Sequence, residues 1–377
     1  MEPLPFDAPL AAYVRQADAL YAGWRSGDPD AIGIFRSKHP KFLDTKITWL
    51  QRQMTEAEAR ETPIDADDAK LALARGYDFA DWPRLVEYVE AVSSPGPVAR
   101  FEAAVEAVID GDMPTLRKLL DADPDLVRRR STRVTHFDPP VHGAMLLHYL
   151  AANGVEGYRQ RSPANAAAVA EVLLNAGADP DALASLYSGQ CTTMALLVSS
   201  TPPARAGVQV ALVETLIDHG ATVTTHGAGE WVSPVETALV FGKQDAAQAL
   251  VRRGAPVETV AAAAGLGDIE AVRRKLPDAI AIDRHRALAL AAQLGHTDVV
   301  RLLLDEGGDP NRFNPPGTHS HTPPIHQAIA AGHLDVVKLL VERGARLDIK
   351  DTIYQGTPLG WAEHCERPEI AAYLRSL

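Results

Sequence analysis

The feature that most constrains this chain is an internal repeat with a period of about 33 residues, because repeats of this length form stacked helical units. The clearest unit occupies residues 323–345 and reads Pro-Pro-Ile-His-Gln-Ala-Ile-Ala-Ala-Gly-His-Leu-Asp-Val-Val-Lys-Leu-Leu-Val-Glu-Arg-Gly-Ala. Its apolar residues recur at steps of three and four, which predicts two short helices. One such pair cannot bury its own apolar face, so neighbouring units must stack.

Each part of this unit has a mechanical role in the predicted helix pair. The proline start seeds the first helix, and the small alanines that follow allow a neighbouring helix to approach closely. Val336-Val337 and Leu339-Leu340 supply the apolar stripe of the second helix. Gly344 stands where the second helix must end in a left-handed conformation.

The same frame recurs with varying quality over the last three quarters of the chain. The further units lie at residues 102–122, 145–178, 193–221, 233–255, 258–279, 286–308 and 357–377. The unit at 323–345 resembles the consensus of the ankyrin-repeat family almost position for position. This resemblance implies an all-α solenoid of about eight helix pairs with a concave groove and hairpin loops. It also implies a protein-binding scaffold, because most ankyrin arrays have no catalytic activity.

The first 95 residues predict a small helical extension ahead of the array. Apolar residues between Leu10 and Trp24 fall at steps of three and four, and Asp65 and Asp81 are suited to cap later helices. A polar helix is also expected over about residues 47–60. The breaker run Ser93-Ser94-Pro95-Gly96-Pro97 then predicts a boundary between domains at 1–95 and 98–377.

Two tryptophans of the extension, Trp49 and Trp82, are candidates for a ligand site, but aromatic residues at helical spacing are more often part of a core. The stretch at residues 79–83 resembles one that precedes ankyrin arrays in many bacterial proteins. That resemblance supplies no chemistry.

Charge and cysteine content exclude several classes of function. The net charge of −12 repels phosphate backbones, so nucleic acid is not an expected partner. The N-terminus lacks a signal-peptide pattern, and no segment approaches about 18 uninterrupted apolar residues, which predicts a cytoplasmic protein without a membrane span. Cys191 and Cys365 are expected to be buried, reduced thiols.

Two neighbouring units carry insertions between their helices. About eleven extra residues, 155–165, interrupt the unit that starts at Met145, and a shorter insert around residues 201–207 interrupts the next unit. Equivalent loops of adjacent repeats lie side by side, so these inserts are expected to meet. They indicate either a built surface or the ordinary tolerance of surface loops.

Long hairpin loops at residues 131–143, 222–232 and 311–322 supply further candidate contacts, since loops carry binding residues more often than cores do. The candidates in these loops are His136, Asp138, His142, Glu230, Trp231, His319 and His321. Two imidazoles and a carboxylate in the first loop have the donor set of a transition-metal site, but a solvated or partner-contacting loop is the favoured interpretation. By contrast, His148 and His326 match the histidine of the family motif, where the ring ties one repeat to the next.

A small-molecule site, catalytic or not, is the second hypothesis for the first three repeats. Non-consensus polar residues concentrate there, and a cover formed by the inserts and the N-terminal helices would enclose them in a pocket with acid and base groups. The residues are His136, Asp138, His142, Tyr149, Asn153, Glu156, Tyr158, Arg159, Tyr187 and Gln190. No nucleophile elbow, phosphate loop or cofactor motif accompanies them, so no cofactor is expected. A protein partner therefore remains the first hypothesis, with a small molecule as the alternative.

Overall fold

Short capped helices make up most of the chain. The computed structural model describes residues 3–152, 156–187, 189–224 and 233–377. The chain divides into two compact units, Met1–Val208 and Gln209–Leu377. Strand pairing among the described residues comprises one short hairpin and two isolated bridges, so the predicted all-α ankyrin-repeat class is confirmed.

The first unit contains the N-terminal extension and the first repeats. Its helices are α1 Leu10–Ser26, α2 Pro29–Lys38, α3 Glu56–Glu61, α4 Ala66–Gly76, α5 Trp82–Ser93, α6 Pro97–Asp110, α7 Met113–Ala122, α8 Leu146–Leu150, α9 Ala166–Asn175, α10 Thr193–Ser199 and α11 Pro202–Arg205. Three 3-10 turns lie at Pro40–Phe42, Pro124–Arg128 and Gly157–Arg159. Strands β1 (Ala184–Leu186) and β2 (Gly189–Cys191) pair antiparallel, with Ala184 opposite Cys191.

Several helices of the extension begin at a residue whose side chain caps the helix, as predicted. Asp65 accepts hydrogen bonds from the amides of Asp67 and Asp68, and Asp81 accepts one from Arg84 at 3.0 Å. The polar helix expected over residues 47–60 is wrong, since only Glu56–Glu61 is helical there. The residues before it form a turn in which Asp44 accepts hydrogen bonds from the amides of Lys46 and Ile47. Such side-chain bonds compete with helix formation.

The two tryptophans of the extension have different environments. Trp82 packs against the core of the extension, as expected. Trp49 is 64% exposed, so its assignment to the core is wrong. It lies in the turn that replaces the expected helix, and there it has no apolar helical face to share.

The extension packs on the first repeats through backbone pairing. Phe79 forms an antiparallel bridge with Thr135, and the amide of Ala80 donates to the carbonyl of Val134 at 3.0 Å. The Gly157 amide donates to Asp78 Oδ2 at 2.5 Å. Residues from both sides of the breaker run at 93–97 therefore share one unit.

The second unit consists of helix pairs in the repeat frame. Its helices are α12 Gln209–Asp218, α13 Pro234–Val240, α14 Gln244–Arg252, α15 Val260–Gly265, α16 Ile269–Lys275, α17 Ala281–Leu294, α18 Thr297–Asp305, α19 Pro324–Ala331, α20 Leu334–Glu342, α21 Pro358–His364 and α22 Pro368–Arg375. A 3-10 turn at Leu276–Asp278 follows α16.

Small side chains and glycines allow these pairs to stack. Ala263, Ala287, Ala291 and Ala328 are fully buried in one continuous core cluster. Gly344 has φ 86°, the left-handed conformation predicted for the end of α20. Gly295 also has a positive φ, and a β-carbon there would lie 2.6 Å from the Nδ1 atom of His333.

The two consensus histidines connect successive repeats, as predicted. The Nε2 atom of His148 donates to the carbonyl of Ala182 at 3.0 Å, and that of His326 donates to the carbonyl of Gly356 at 3.1 Å. Both rings are buried, so their role is structural.

Candidate functional site

A buried ion pair lies where the extension meets the first repeats. Arg133 belongs to an extended segment in which Ser131, Arg133 and Thr135 are buried in alternation, as a strand-like backbone requires. Its Nη1 atom lies 2.8 Å from Glu156 Oε2, and the two side chains are 1% and 7% exposed. Glu156 comes from the predicted insert and immediately precedes the Gly157–Arg159 turn. The insert therefore has a buried role.

A second guanidinium extends this pair into a network. Arg159 lies 3.2 Å from Glu156 Oε2 and 3.0 Å from Glu106 Oε1, and it also pairs with Glu102. The hydroxyl of Tyr88 donates to Glu102 Oε2 at 2.5 Å. Since Glu102 and Glu106 lie on α6 and Tyr88 on α5, the network joins the extension to the first repeat.

Aromatic rings surround both guanidiniums. The central carbon of Arg133 lies 4.5 Å from the ring centroid of Phe79 and 5.0 Å from that of Phe6. The central guanidinium carbon of Arg159 also lies 5.0 Å from the ring centroid of Phe6. Cations gain electrostatic stabilisation over ring faces, most of all where water is excluded. Phe6 thus anchors the N-terminal segment between two buried charges.

His142 and Tyr149 complete the coordination of the Glu156 carboxylate. The Tyr149 hydroxyl donates to Glu156 Oε1 at 2.7 Å, and His142 Nε2 lies 3.3 Å from the same oxygen. His142 Nδ1 accepts the amide hydrogen of Ala144 at 3.0 Å, which assigns the ring proton to Nε2. Two arginines, a histidine and a tyrosine therefore all face one carboxylate.

These contacts determine the protonation states of the network. Burial opposes the ionisation of Glu156, but the charge of Arg133 and the hydrogen bonds of His142 and Tyr149 hold its pKa below the usual value. Burial, reinforced by the charge of Glu156, raises the pKa of Tyr149 well above its usual value. The carboxylate is therefore ionised and the phenol neutral at pH 7. A carboxylate with this many donors is a poor general base.

A small cavity adjoins the network. Its volume is about 40 Å³, and the residues that line it include His142, His148, Tyr149, Glu156 and Arg159. That volume holds a few water molecules. It is far below the 300 Å³ or more that is typical of pockets for drug-sized ligands.

The other residues predicted for the first repeats lie away from this network. His136 is half-buried and its ring stacks on Phe137 at 4.1 Å, whereas Asp138 is exposed. Tyr187 is 54% exposed, and Gln190 is exposed with its amide donating to Ser185 Oγ. Within residues 3–152, 156–187, 189–224 and 233–377, no group of three or more metal-ligating side chains is placed to hold an ion.

Three predicted residues, Asn153, Glu230 and Trp231, lie outside the described residues. His319 and His321 belong to the second unit, and their rings are 6.1 Å apart. The loop that carries them, residues 311–322, folds onto helices of its own unit. His319 Nε2 donates to the carbonyl of Val240 at 3.2 Å, and Arg286 donates to the carbonyl of Pro316 at 3.1 Å. Among the predicted site residues, the structure brings together His142, Tyr149, Glu156, Tyr158 and Arg159.

Sequence reasoning missed Arg133, Glu102, Tyr88 and Phe6. Arg133 and Tyr77, whose carbonyl accepts from Arg133 Nη2 at 2.6 Å, are 56 residues apart in the chain. No local pattern marks such a pairing. The run Ser131-Thr132-Arg133-Val134-Thr135 has no alternation of apolar and polar residues, so its buried face was not evident from the sequence.

In the described part of the chain, every helix is too short or too polar to cross a membrane.

Comparisons with known proteins agree with the repeat frame. A family model described as ankyrin repeats in three copies matches residues 259–351. Cyclin-dependent kinase 4 inhibitor B of Homo sapiens is 34% identical over 127 residues, which cover 33% of this chain and 89% of that protein. The same inhibitor of Bos taurus is 34% identical over 121 residues, which cover 31% of this chain and 89% of that protein.

Proposed function

The chain belongs to the ankyrin-repeat family, and on that premise we propose that its array is a scaffold that binds a protein partner through its groove and hairpin loops. The two similar inhibitors support a protein partner, because their name describes action on a kinase.

The observation that carries this proposal is the exposure of apolar side chains on connections between repeats of the second unit. Ile280 immediately precedes α17 and is 64% exposed, and Tyr354 lies between α20 and α21 and is 54% exposed. Tyrosine is enriched among the side chains that carry the binding energy of protein interfaces, and an exposed aliphatic side chain adds apolar surface. His321 contacts Tyr354, with ring centroids 6.3 Å apart, and so holds this tyrosine in place.

The test compares aspartate variants of two exposed residues on the connecting loops with one aspartate variant elsewhere. Cross-linking in native extract, followed by mass spectrometry, should recover a saturable partner with the wild-type chain and lose it with Ile280→Asp and Tyr354→Asp. Leu377→Asp is the matched control, because Leu377 is also 64% exposed but lies at the end of the last helix pair. Equal recovery with Ile280→Asp and Leu377→Asp would refute the assignment of the connecting loops.

The alternative function is a small-molecule or catalytic site in the first three repeats around His136, His142, Tyr158 and Arg159. The burial of His142 and Arg159 beside Glu156 supports it, as does the hydrogen bond between Arg133 and the Tyr158 hydroxyl. The small volume of the adjoining cavity and the mutual pairing of its polar groups oppose it. A thermal-shift screen with metabolites separates the two proposals, because a ligand of the folded state raises the melting temperature without any protein partner.

A further inference from the structure

A second cavity lies at helices α2 and α4 of the extension, and the Tyr158 ring, whose hydroxyl accepts from Arg133 of the charged network, forms part of its wall. It has a volume of about 200 Å³ and is lined by Ile34, Lys38, Leu73, Gly76, Tyr77 and Tyr158, among others. An apolar cavity of about 150 Å³ binds benzene, so this one has room for a ring and a short substituent. Its position between α2 and α4 makes it independent of the proposed partner surface.

Lys38 gives one side of this cavity a positive charge. Its Nζ atom is 3.9 Å from Asp78 Oδ1, which is too long for a hydrogen bond, and the side chain is 36% exposed. The other oxygen, Asp78 Oδ2, accepts the amide hydrogen of Gly157. The ammonium group therefore keeps donor capacity toward the cavity.

Lys38 is one of two cations that lie near His136. Burial, together with the charges of Arg75 and Lys38, lowers the pKa of His136 to about 4. Two cations thus act on the same neutral imidazole. Burial raises the pKa of Asp78 to about 6, so the carboxylate that faces Lys38 is more easily protonated than an exposed aspartate.

We propose that this cavity binds a small carboxylic acid with a compact apolar body, such as a phenyl ring. The carboxylate lies against Lys38 Nζ, and the ring packs among Ile34, Leu73 and the edges of Tyr77 and Tyr158. The apolar wall supplies burial of the ring, and the ammonium distinguishes an acid from an amine.

Gly76 offers a direct way to block the cavity. A β-carbon built on Gly76 meets no atom within 4 Å, so Gly76→Leu should fill the space without backbone strain. Gly33 is the matched control, since it is also a helical glycine with open space around its β-carbon but does not line the cavity.

The experiment titrates the full chain with phenylacetate, 2-phenylethanol, phenethylamine and acetate, with ligand-observed NMR as the readout. Phenylacetate should bind saturably, and the other three should bind at least roughly tenfold more weakly. Gly76→Leu should abolish phenylacetate binding, whereas Gly33→Leu should retain it. Lys38→Met should weaken it roughly tenfold, and Lys38→Arg should restore most of it.

Two results would overturn the proposal. Undiminished phenylacetate binding by a folded Gly76→Leu variant would place the ligand elsewhere. Equal binding of 2-phenylethanol and phenylacetate would show that the cavity does not select a carboxylate. Circular dichroism of each variant distinguishes loss of binding from loss of fold.

Discussion

Replacing Glu156 by glutamine should destabilise the first unit strongly, although the two side chains have nearly the same shape. The substitution removes the negative charge that lies 2.8 Å from the fully buried Arg133. Breaking a buried ion pair on one side typically costs about 3–5 kcal/mol. The expected value is at the lower end, about 3 kcal/mol, because Arg133 keeps the Tyr158 hydroxyl at 2.9 Å and several ring faces.

Glu106→Gln is the matched control for this prediction. Glu106 pairs with Arg159 at 3.0 Å, much as Glu156 does at 3.2 Å, but its side chain is 42% exposed. A pair that is accessible to solvent contributes less than about 1 kcal/mol. Burial, not the distance between the charges, should therefore decide the size of the effect.

Urea unfolding followed by near-ultraviolet circular dichroism measures both variants, because Tyr88, Tyr149 and Tyr158 lie in the network. At about 2–4 °C for each kcal/mol in a unit of this size, Glu156→Gln should also lower the Tm by roughly 6–12 °C. The paired replacement of Arg133 by methionine and Glu156 by leucine should recover much of the loss. If both glutamine variants lie within 1 kcal/mol of wild type, the electrostatic reasoning is refuted.

Three further predictions concern the same junction and the repeat contacts. Phe6→Ala should cost about 3–4 kcal/mol and speed proteolysis of the N-terminal segment, because Phe6 is 4% exposed among aromatic rings; unchanged cleavage would contradict its anchoring role. Since burial raises the pKa of Asp78 to about 6, above its unfolded value, its stabilising contribution is lost as pH rises through 6. Asp78→Asn should reduce the fall of the urea midpoint with rising pH. An unchanged slope would show that another group causes this fall. Burial lowers the pKa of His148 to about 4, so its contribution is lost as pH falls from about 6.5 toward 4. His148→Ala should cost about 1–2 kcal/mol and reduce that acid sensitivity, and denaturant midpoints at pH 7 and 5 check both.

The repeat array was predictable because its signals are local. The spacing of apolar residues, the capping side chains and a terminal glycine such as Gly344 act within a few turns of each helix. The contacts of His148 and His326 were also predictable, since they recur at a fixed place in the repeat. The polar helix expected after Ile47 failed for an equally local reason, because Asp44 captures the next backbone amides in a turn.

The buried network was predictable only in part. Five of its members, among them His142 and Arg159, stood out as polar residues that the repeat does not require. Their partners did not, because Glu102 occupies an ordinary helical position and Arg133 an ordinary loop. A charge enters a core only when its partners are assembled by the fold, and those partners come from distant parts of the chain.

The breaker run at residues 93–97 and the network give different information about where the chain divides. Breakers mark where a helix must end, which is a property of the backbone over a few residues. The network depends on side chains on both sides of that point, since Arg133 contacts Phe6, Phe79 and Glu156 together. Cutting the chain at the breakers would therefore leave a buried guanidinium without its aromatic neighbours. The extension is thus required to keep the first repeats packed, even though the local sequence there indicates a linker.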